Sequence, residues 1–203
     1  IGHFYHLEQN EAYLFRGSLD IFCPAKITSR QKTEILFAGR FTYQKNPLYA
    51  VEVFAEYHKI NCNSHFTMIG KGKLLPKIEE RLISSGLSDY VTIIPETSKM
   101  EEYYRNADVF LLPSNYEGLG IVLIEAQACG TKCLTSNQVP ATTDCGLIRY
   151  LPLNNNFRDW VLELERIKND QSMSVNFETL ELFSIQNTTK QIERLYESRS
   201  KTI

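Results

Sequence analysis

The 203-residue chain contains no apolar run approaching the eighteen or more residues that span a bilayer. No signal-peptide pattern opens it, and the expectation is a cytoplasmic protein. Its formal charge is only −2, which leaves no electrostatic case for nucleic acid or an anionic membrane as the main partner. Internal repeats and low-complexity tracts are lacking. The cysteines, Cys23, Cys62, Cys129, Cys133 and Cys145, are odd in number, form no disulfide framework and read as reduced thiols. The Cys129-x3-Cys133 pair fits two small buried residues either side of a turn better than a metal or redox site. His3 and His6, with Glu11 nearby, lack further ligands at a recognisable spacing.

What is present is a regular alternation. Ile35 to Ala38, His65 to Ile69, Val91 to Ile94, Asp108 to Leu112 and Lys132 to Thr135 are short apolar runs that read as buried strands. Amphipathic stretches lie between them. Pro47 opens a helix with Leu48, Val51, Phe54 and Ala55 inside. A second helix runs on Leu74, Leu75, Ile78 and Leu82, with Glu79, Glu80 and Arg81 outside. Met100 to Ala107 and Gly120 to Cys129 are two more, and Phe157, Trp160, Val161, Leu164 and Ile167 mark a later one. Continuous apolar strands alternating with helices predict an α/β, Rossmann-like parallel sheet covered by helices on both faces. Ligands of such sheets collect at the carboxyl ends of the strands. Arg40 and Lys45 follow the first strand, Gly70 and Gly72 the second, and Glu117 to Gly120 the fourth, so the candidates converge on one site.

The densest chemistry lies in Pro113 to Ala126, where two carboxylates stand eight positions apart. Glu117 lies in a Gly-containing turn, and a loop-to-helix junction there offers backbone N–H groups to an anion. Glu125 falls about two helical turns further on, roughly 12 Å along a helix axis at ~1.5 Å per residue. That separation suits a ligand bearing both phosphates and hydroxyls, such as a nucleotide sugar. Glu125 sits between Ile124 and Ala126 in a helix with little polar surface, so something must satisfy it: a ligand hydroxyl, or a structural ion pair with Arg or Lys.

Five segments in order carry a resemblance: Phe37-Ala38-Gly39-Arg40 with Lys45, Ile69-Gly70-Lys71-Gly72, Ala107 to Ser114, the Glu-x7-Glu stretch, and Ala126-Gln127-Ala128-Cys129-Gly130. Together they resemble the C-terminal, donor-binding domain of the family 4 (group 1) retaining glycosyltransferases of the GT-B fold. The resemblance is close over roughly residues 15 to 140. It implies that Arg40 and Lys45 grip the donor diphosphate, where two cations would stabilise the leaving group's charge in place of a metal; without it, they read as solvated loop cations. It implies that Glu117 accepts from the donor sugar, that backbone N–H groups of Gly118, Leu119 and Gly120, next to Ile121, meet sugar or phosphate, and that Glu125 accepts from ribose. Gly39, Gly70 and Gly72 would line the cleft, with the base near Ile94, Pro95 and Glu96. No Asp-x-Asp motif occurs, and no cofactor is expected beyond the donor, a UDP- or GDP-sugar, as substrate. Departures from the family pattern are Asn46 for Gly, Pro95 for Gly, and Thr131-Lys132 in place of Pro.

Under this reading residues 1–33 are a leading segment or interdomain remnant, and 34–185 the nucleotide-sugar-binding domain. Residues 186–203, with Ile192, Leu195 and Tyr196, are a C-terminal helix facing a missing N-terminal acceptor domain, supplied in cis or trans. The expected whole is a hexosyl-type transferase of polysaccharide biosynthesis acting on a glycan or lipid-linked acceptor, of which this chain alone lacks full activity. Peripheral association with the inner face of a membrane through the missing domain is compatible with it. Two other classes compete: a non-catalytic donor-binding subunit of a two-chain transferase, and a dinucleotide-binding redox domain indifferent to Glu125.

Overall fold

The computed structural model describes residues 32–154, 156–184, 187 and 189. Most of the expected leading segment and C-terminal helix, with His3, His6, Glu11 and Cys23, lie outside the described residues. The chain divides into two compact units, residues 24–176 and residues 1–23 with 177–203.

In the first unit six strands form one sheet: β1 (Thr33–Ala38), β2 (Ser64–Ile69), β3 (Val91–Ile94), β4 (Val109–Leu112), β5 (Lys132–Ser136) and β6 (Ile148–Leu151). Their order is β3-β2-β1-β4-β5-β6, and every pairing is parallel. All of β4 and β5 is buried, as expected of strands covered on both faces. Five helices connect or follow the strands: α1 (Pro47–Ile60), α2 (Leu75–Ser84), α3 (Met100–Asn106), α4 (Ile121–Ala128) and α5 (Phe157–Asn169). The expected Rossmann-like α/β sheet is present. Strand order reverses after β3, where the chain crosses back to lay β4 beside β1. With right-handed connections, the chain leaves β1 and β4 toward opposite faces and opens a crevice at their carboxyl ends.

Strand β6 escaped the sequence reading. Its four residues include Arg149, with Ile148 buried and Arg149, Tyr150 and Leu151 half-buried, so no continuous apolar run marks it. Its place is set by pairing with β5 and by Arg149, which reaches Asp170 at 3.2 Å. Lys132 at the start of β5 is buried and donates to the carbonyls of Lys168 and Asp170, at 3.1 and 2.5 Å. An ammonium there meets orphan carbonyls at the end of α5, the favourable end of a helix dipole for a cation.

Helix α5 begins at Asn156, whose side chain accepts from the Arg158 N–H. Trp160 lies fully buried beneath it, with Nε1 donating to the Pro152 carbonyl at 3.1 Å and Tyr49 of α1 edge-on at 5.3 Å. In the second unit the described residues form one short helix, α6 (Phe177–Glu181), and a turn in which the Asn187 side-chain amide donates to the Glu181 carbonyl at 2.8 Å.

Replacing Trp160 by Ala is expected to cost about 3–5 kcal/mol in urea unfolding. Leu162→Ala in the same helix, 57% exposed, should stay within about 0.5 kcal/mol.

Candidate functional site

Three loops meet at the carboxyl ends of the strands. The loop after β1 is joined to the loop after β2 by Phe41 N–H to the Lys71 carbonyl (2.9 Å) and Leu74 N–H to the Phe41 carbonyl (3.1 Å). It is joined to the loop after β4 by Asn115, whose backbone N–H donates to the Gln44 carbonyl (2.7 Å) and whose side chain donates to the Tyr43 carbonyl (2.6 Å). Glycines permit the close approach. A Cβ on Gly70, where φ is +154°, would lie 2.0 Å from the Gly39 carbonyl oxygen, and one on Gly72 would lie 2.5 Å from that of Phe41. These two residues therefore have a packing reason for being glycine, one that motif reading did not separate from ligand contact.

Lys45 and Glu117, 72 positions apart, come together at this junction. The Lys45 ammonium lies 2.9 Å from Glu117 Oε1 and 3.0 Å from Oε2, with the two side chains 8% and 4% exposed. Ser114 donates its hydroxyl to Glu117 Oε1 at 2.6 Å. The Ser114 carbonyl in turn accepts from the hydroxyl of Ser136 at the end of β5, and both serines are fully buried. The stem of Lys45 runs over Gly39, whose added Cβ would touch it at 3.4 Å. Arg40 is exposed on the same loop. Next to Lys45, Asn46 occupies the left-handed region at φ 52° and leads into α1 behind Pro47. Asn is the residue after Gly that tolerates that conformation best, so the departure at this position keeps the backbone path.

Glu117 precedes α4, whose N-cap is Gly120 at φ 69°. The 12 Å axial spacing treats all eight positions as helical and so does not apply; only Glu125 lies within the helix. Gly118 and Leu119 are exposed, and nothing lies within 4 Å of a Cβ built on Gly118. A side chain at Gly118, next to Glu117, would thus meet open space. Ile121, half-buried, begins the helix. Glu125 is half-buried, and its Oε2 accepts from the Tyr104 hydroxyl at 3.0 Å. Full burial, with the Glu125 carboxylate adding to it, raises that phenol well above the usual range and keeps it a donor.

Around the base position the arrangement is looser. Ile94 is half-buried, its carbonyl accepting from Gly70 N–H at 2.8 Å, and Pro95 is exposed. Glu96 pairs with Lys71 at 2.8 Å, both exposed.

Gln127 is a residue whose role the sequence reading missed. Fully buried, it donates to the Leu123 and Thr143 carbonyls and accepts from Cys145 and Leu147 N–H. Thr143 then donates to the Leu119 carbonyl at 2.6 Å, so Gln127 braces the glycine turn from behind. A buried amide inside an apolar helix was the available signal. Thr131, where the family pattern has Pro, uses its N–H to bond the Ala126 carbonyl and its hydroxyl to bond that of Tyr104. A cavity of about 390 Å³ lies elsewhere, between β1, β2 and α3, lined by Glu34, Leu36, Thr67, Tyr103 and Asn106 among others. Among the described residues no group of three His, Cys, Asp or Glu is placed to hold a metal ion, and no helix is long and apolar enough to cross a membrane.

The family model described as Glycosyl transferases group 1 matches residues 24–146. The putative glycosyltransferase EpsF of Bacillus subtilis is 31% identical over 175 residues, 79% of this chain and 46% of that protein. The capsular polysaccharide biosynthesis glycosyltransferase CapH of Staphylococcus aureus is 26% identical over 188 residues, 84% of this chain and 49% of the relative. Among solved structures, the pneumococcal O-GlcNAc transferase GtfA in complex with UDP and GlcNAc superposes with a TM-score of 0.71 at 18% identity, over 84% of this chain and 36% of that one. The chain spans about half the length of EpsF and CapH.

Two outcomes are expected. Lys45→Met leaves a buried carboxylate uncompensated and should cost about 3–5 kcal/mol in urea unfolding, most of it recovered in the double variant Lys45→Met/Glu117→Leu. Burial pushes the Cys129 and Cys145 thiols up to about 11, with nearby acidic charge adding to it at Cys145, so their thiolate fractions at pH 8 are small. Iodoacetamide at pH 8 should therefore label exposed Cys62 in the native chain well before Cys129, Cys133 or Cys145, read by peptide mapping.

Proposed function

The chain belongs to the group 1 glycosyl transferases, and on that premise we propose that it binds the nucleotide-sugar donor for retaining glycosyl transfer. The observation that carries the reading is the meeting of Lys45 and Glu117, from the loops after β1 and β4, at the point where strand order reverses. One residue supplies positive charge for a diphosphate and the other supplies acceptors for sugar hydroxyls. Gly118 to Gly120 offer backbone N–H groups beside them, and α4 directs its N-terminus to the same place. Arg40 adds a second cation on the loop of Lys45. Glu125, oriented by Tyr104, is the acceptor for ribose hydroxyls.

In the reaction so assigned, the acceptor hydroxyl attacks the anomeric carbon from the face the diphosphate leaves. The bond from that carbon to the diphosphate oxygen breaks, and a phosphate oxygen takes the hydroxyl proton. The diphosphate gains charge in that step, and Arg40 and Lys45 stabilise it. The transferred group is a hexose, and the acceptor is a glycan or lipid-linked saccharide, in keeping with polysaccharide-assembly relatives such as CapH. The acceptor is held by a second domain outside these residues.

Calorimetric titration of the 203-residue chain with UDP, GDP, ADP and their sugars tests the reading. At least one nucleotide should bind below millimolar concentration. Arg40→Ala should weaken the diphosphate roughly tenfold, one charge-assisted contact, and the nucleoside far less. Glu125→Ala should weaken ribonucleotides but leave pyrophosphate unaffected. No nucleotide binding at millimolar levels overturns the proposal, and preferential binding of a nicotinamide dinucleotide replaces it with the redox alternative.

A further inference from the structure

We propose that Glu117, through its buried contact with Lys45, makes this site prefer an intact nucleotide sugar over the free nucleoside diphosphate. The inference rests on the donor-site reading above and extends it to the leaving group. Lys45 is the buried cation of the site, and its charge does not stand alone. Both Glu117 oxygens lie within 3.0 Å of its nitrogen, so the pair is neutral as a unit. With the side chains 8% and 4% exposed, water screens neither charge well. A diphosphate that reaches the remaining ammonium donors also comes close to an anionic carboxylate, which repels it.

An attached sugar changes that balance. Its hydroxyls donate to the carboxylate and spread its charge, a compensation that a bare diphosphate cannot supply because it carries acceptors only at that end. The same carboxylate therefore favours the donor and disfavours the product. Once the sugar has moved to the acceptor, its hydroxyls leave Glu117, and the diphosphate remains beside a carboxylate that no sugar hydroxyl contacts. Release is assisted by the residue that helped recognise the donor.

The repulsion holds only if Glu117 is unable to swing aside, and the loop is built to hold it. Ser114 donates to Oε1, the Ser114 carbonyl is tied to the hydroxyl of Ser136, and Asn115 is bonded to the carbonyls of Tyr43 and Gln44 on the loop of Lys45. The Lys45 stem packs over Gly39, within contact distance of the place a Cβ would take. Ser114 and Ser136 are thus positioning residues, acting through Glu117.

The test compares the 203-residue chain with Glu117→Gln and Ser114→Ala by calorimetry, using pyrophosphate, UDP with UDP-glucose, and GDP with GDP-mannose as probes. Thermal unfolding checks that each variant is folded. Glu117→Gln is expected to bind pyrophosphate and the nucleoside diphosphate roughly three- to tenfold more tightly, the effect of removing one nearby like charge. The ratio of nucleotide-sugar to diphosphate affinity should fall by at least a similar factor. Ser114→Ala keeps the charge but frees its orientation, so its ratio should lie between the two; this variant carries the test if Glu117→Gln does not fold. Unchanged or weaker pyrophosphate binding in a folded Glu117→Gln, or a parent-like ratio in Ser114→Ala, overturns the inference while leaving the donor site standing. Absence of binding of every probe by the parent chain overturns the donor-site reading, and this inference with it.

Discussion

The reversal of strand order between β1 and β4 is the constraint from which the site follows. A parallel sheet needs a helix after each strand, and right-handed connections send α1 and α4 to opposite faces when their strands are neighbours. The loops that begin those connections must part, and the gap between them is where Lys45 and Glu117 meet. Had the order run without reversal, those residues would lie on loops leaving toward the same face, with no crevice between them. The close approach of the β1 and β2 loops at Gly70 and Gly72 narrows the gap from one side. Gln127 and Thr143 brace it from the other.

Inside that crevice the contacts that stabilise the fold are the ones that hold the candidate site residues together. A buried lysine is costly without a partner, and Glu117 supplies one, so the pair is a structural element before any ligand arrives. The serine hydroxyls extend it back into the sheet, ending at β5, which is buried throughout. The charged groups of the candidate site are thus held in place by the fold itself. Tyr104 and Glu125 make a second such contact, with a buried phenol donating to a carboxylate at the flank of α4.

The departures from the family pattern become intelligible at the same level of detail. Asn46 preserves a left-handed turn ahead of α1. Thr131 uses an N–H that Pro lacks, and Lys132 closes the end of α5. Asn46 lies next to Lys45 of the site, whereas Thr131 and Lys132 lie at the amino end of β5, away from it. Pro95, exposed beyond β3, has no comparable structural explanation.

Much of this was legible in the residues alone. Short, largely apolar runs around Ile35, Phe66, Val109 and Cys133 are long enough to be strands and too short to be helices, and their alternation with amphipathic segments implies a parallel sheet. Hydrophobic period is a local property, so it survives without the fold. The order of motifs after successive strands likewise placed Arg40, Lys45, Gly70, Gly72 and Glu117 to Gly120 at one end of the sheet. Strand β6 was not legible, because a four-residue edge strand with an Arg at its second position and three residues only half-buried carries no continuous apolar signal. Nor were the partners of the site residues. That Lys45 faces Glu117 across 72 positions, that Ser136 secures Ser114, and that Gly70 is glycine because a carbonyl oxygen occupies the place of its side chain are facts of distance between segments. Only packing brings those segments together, and no spacing along the chain encodes it.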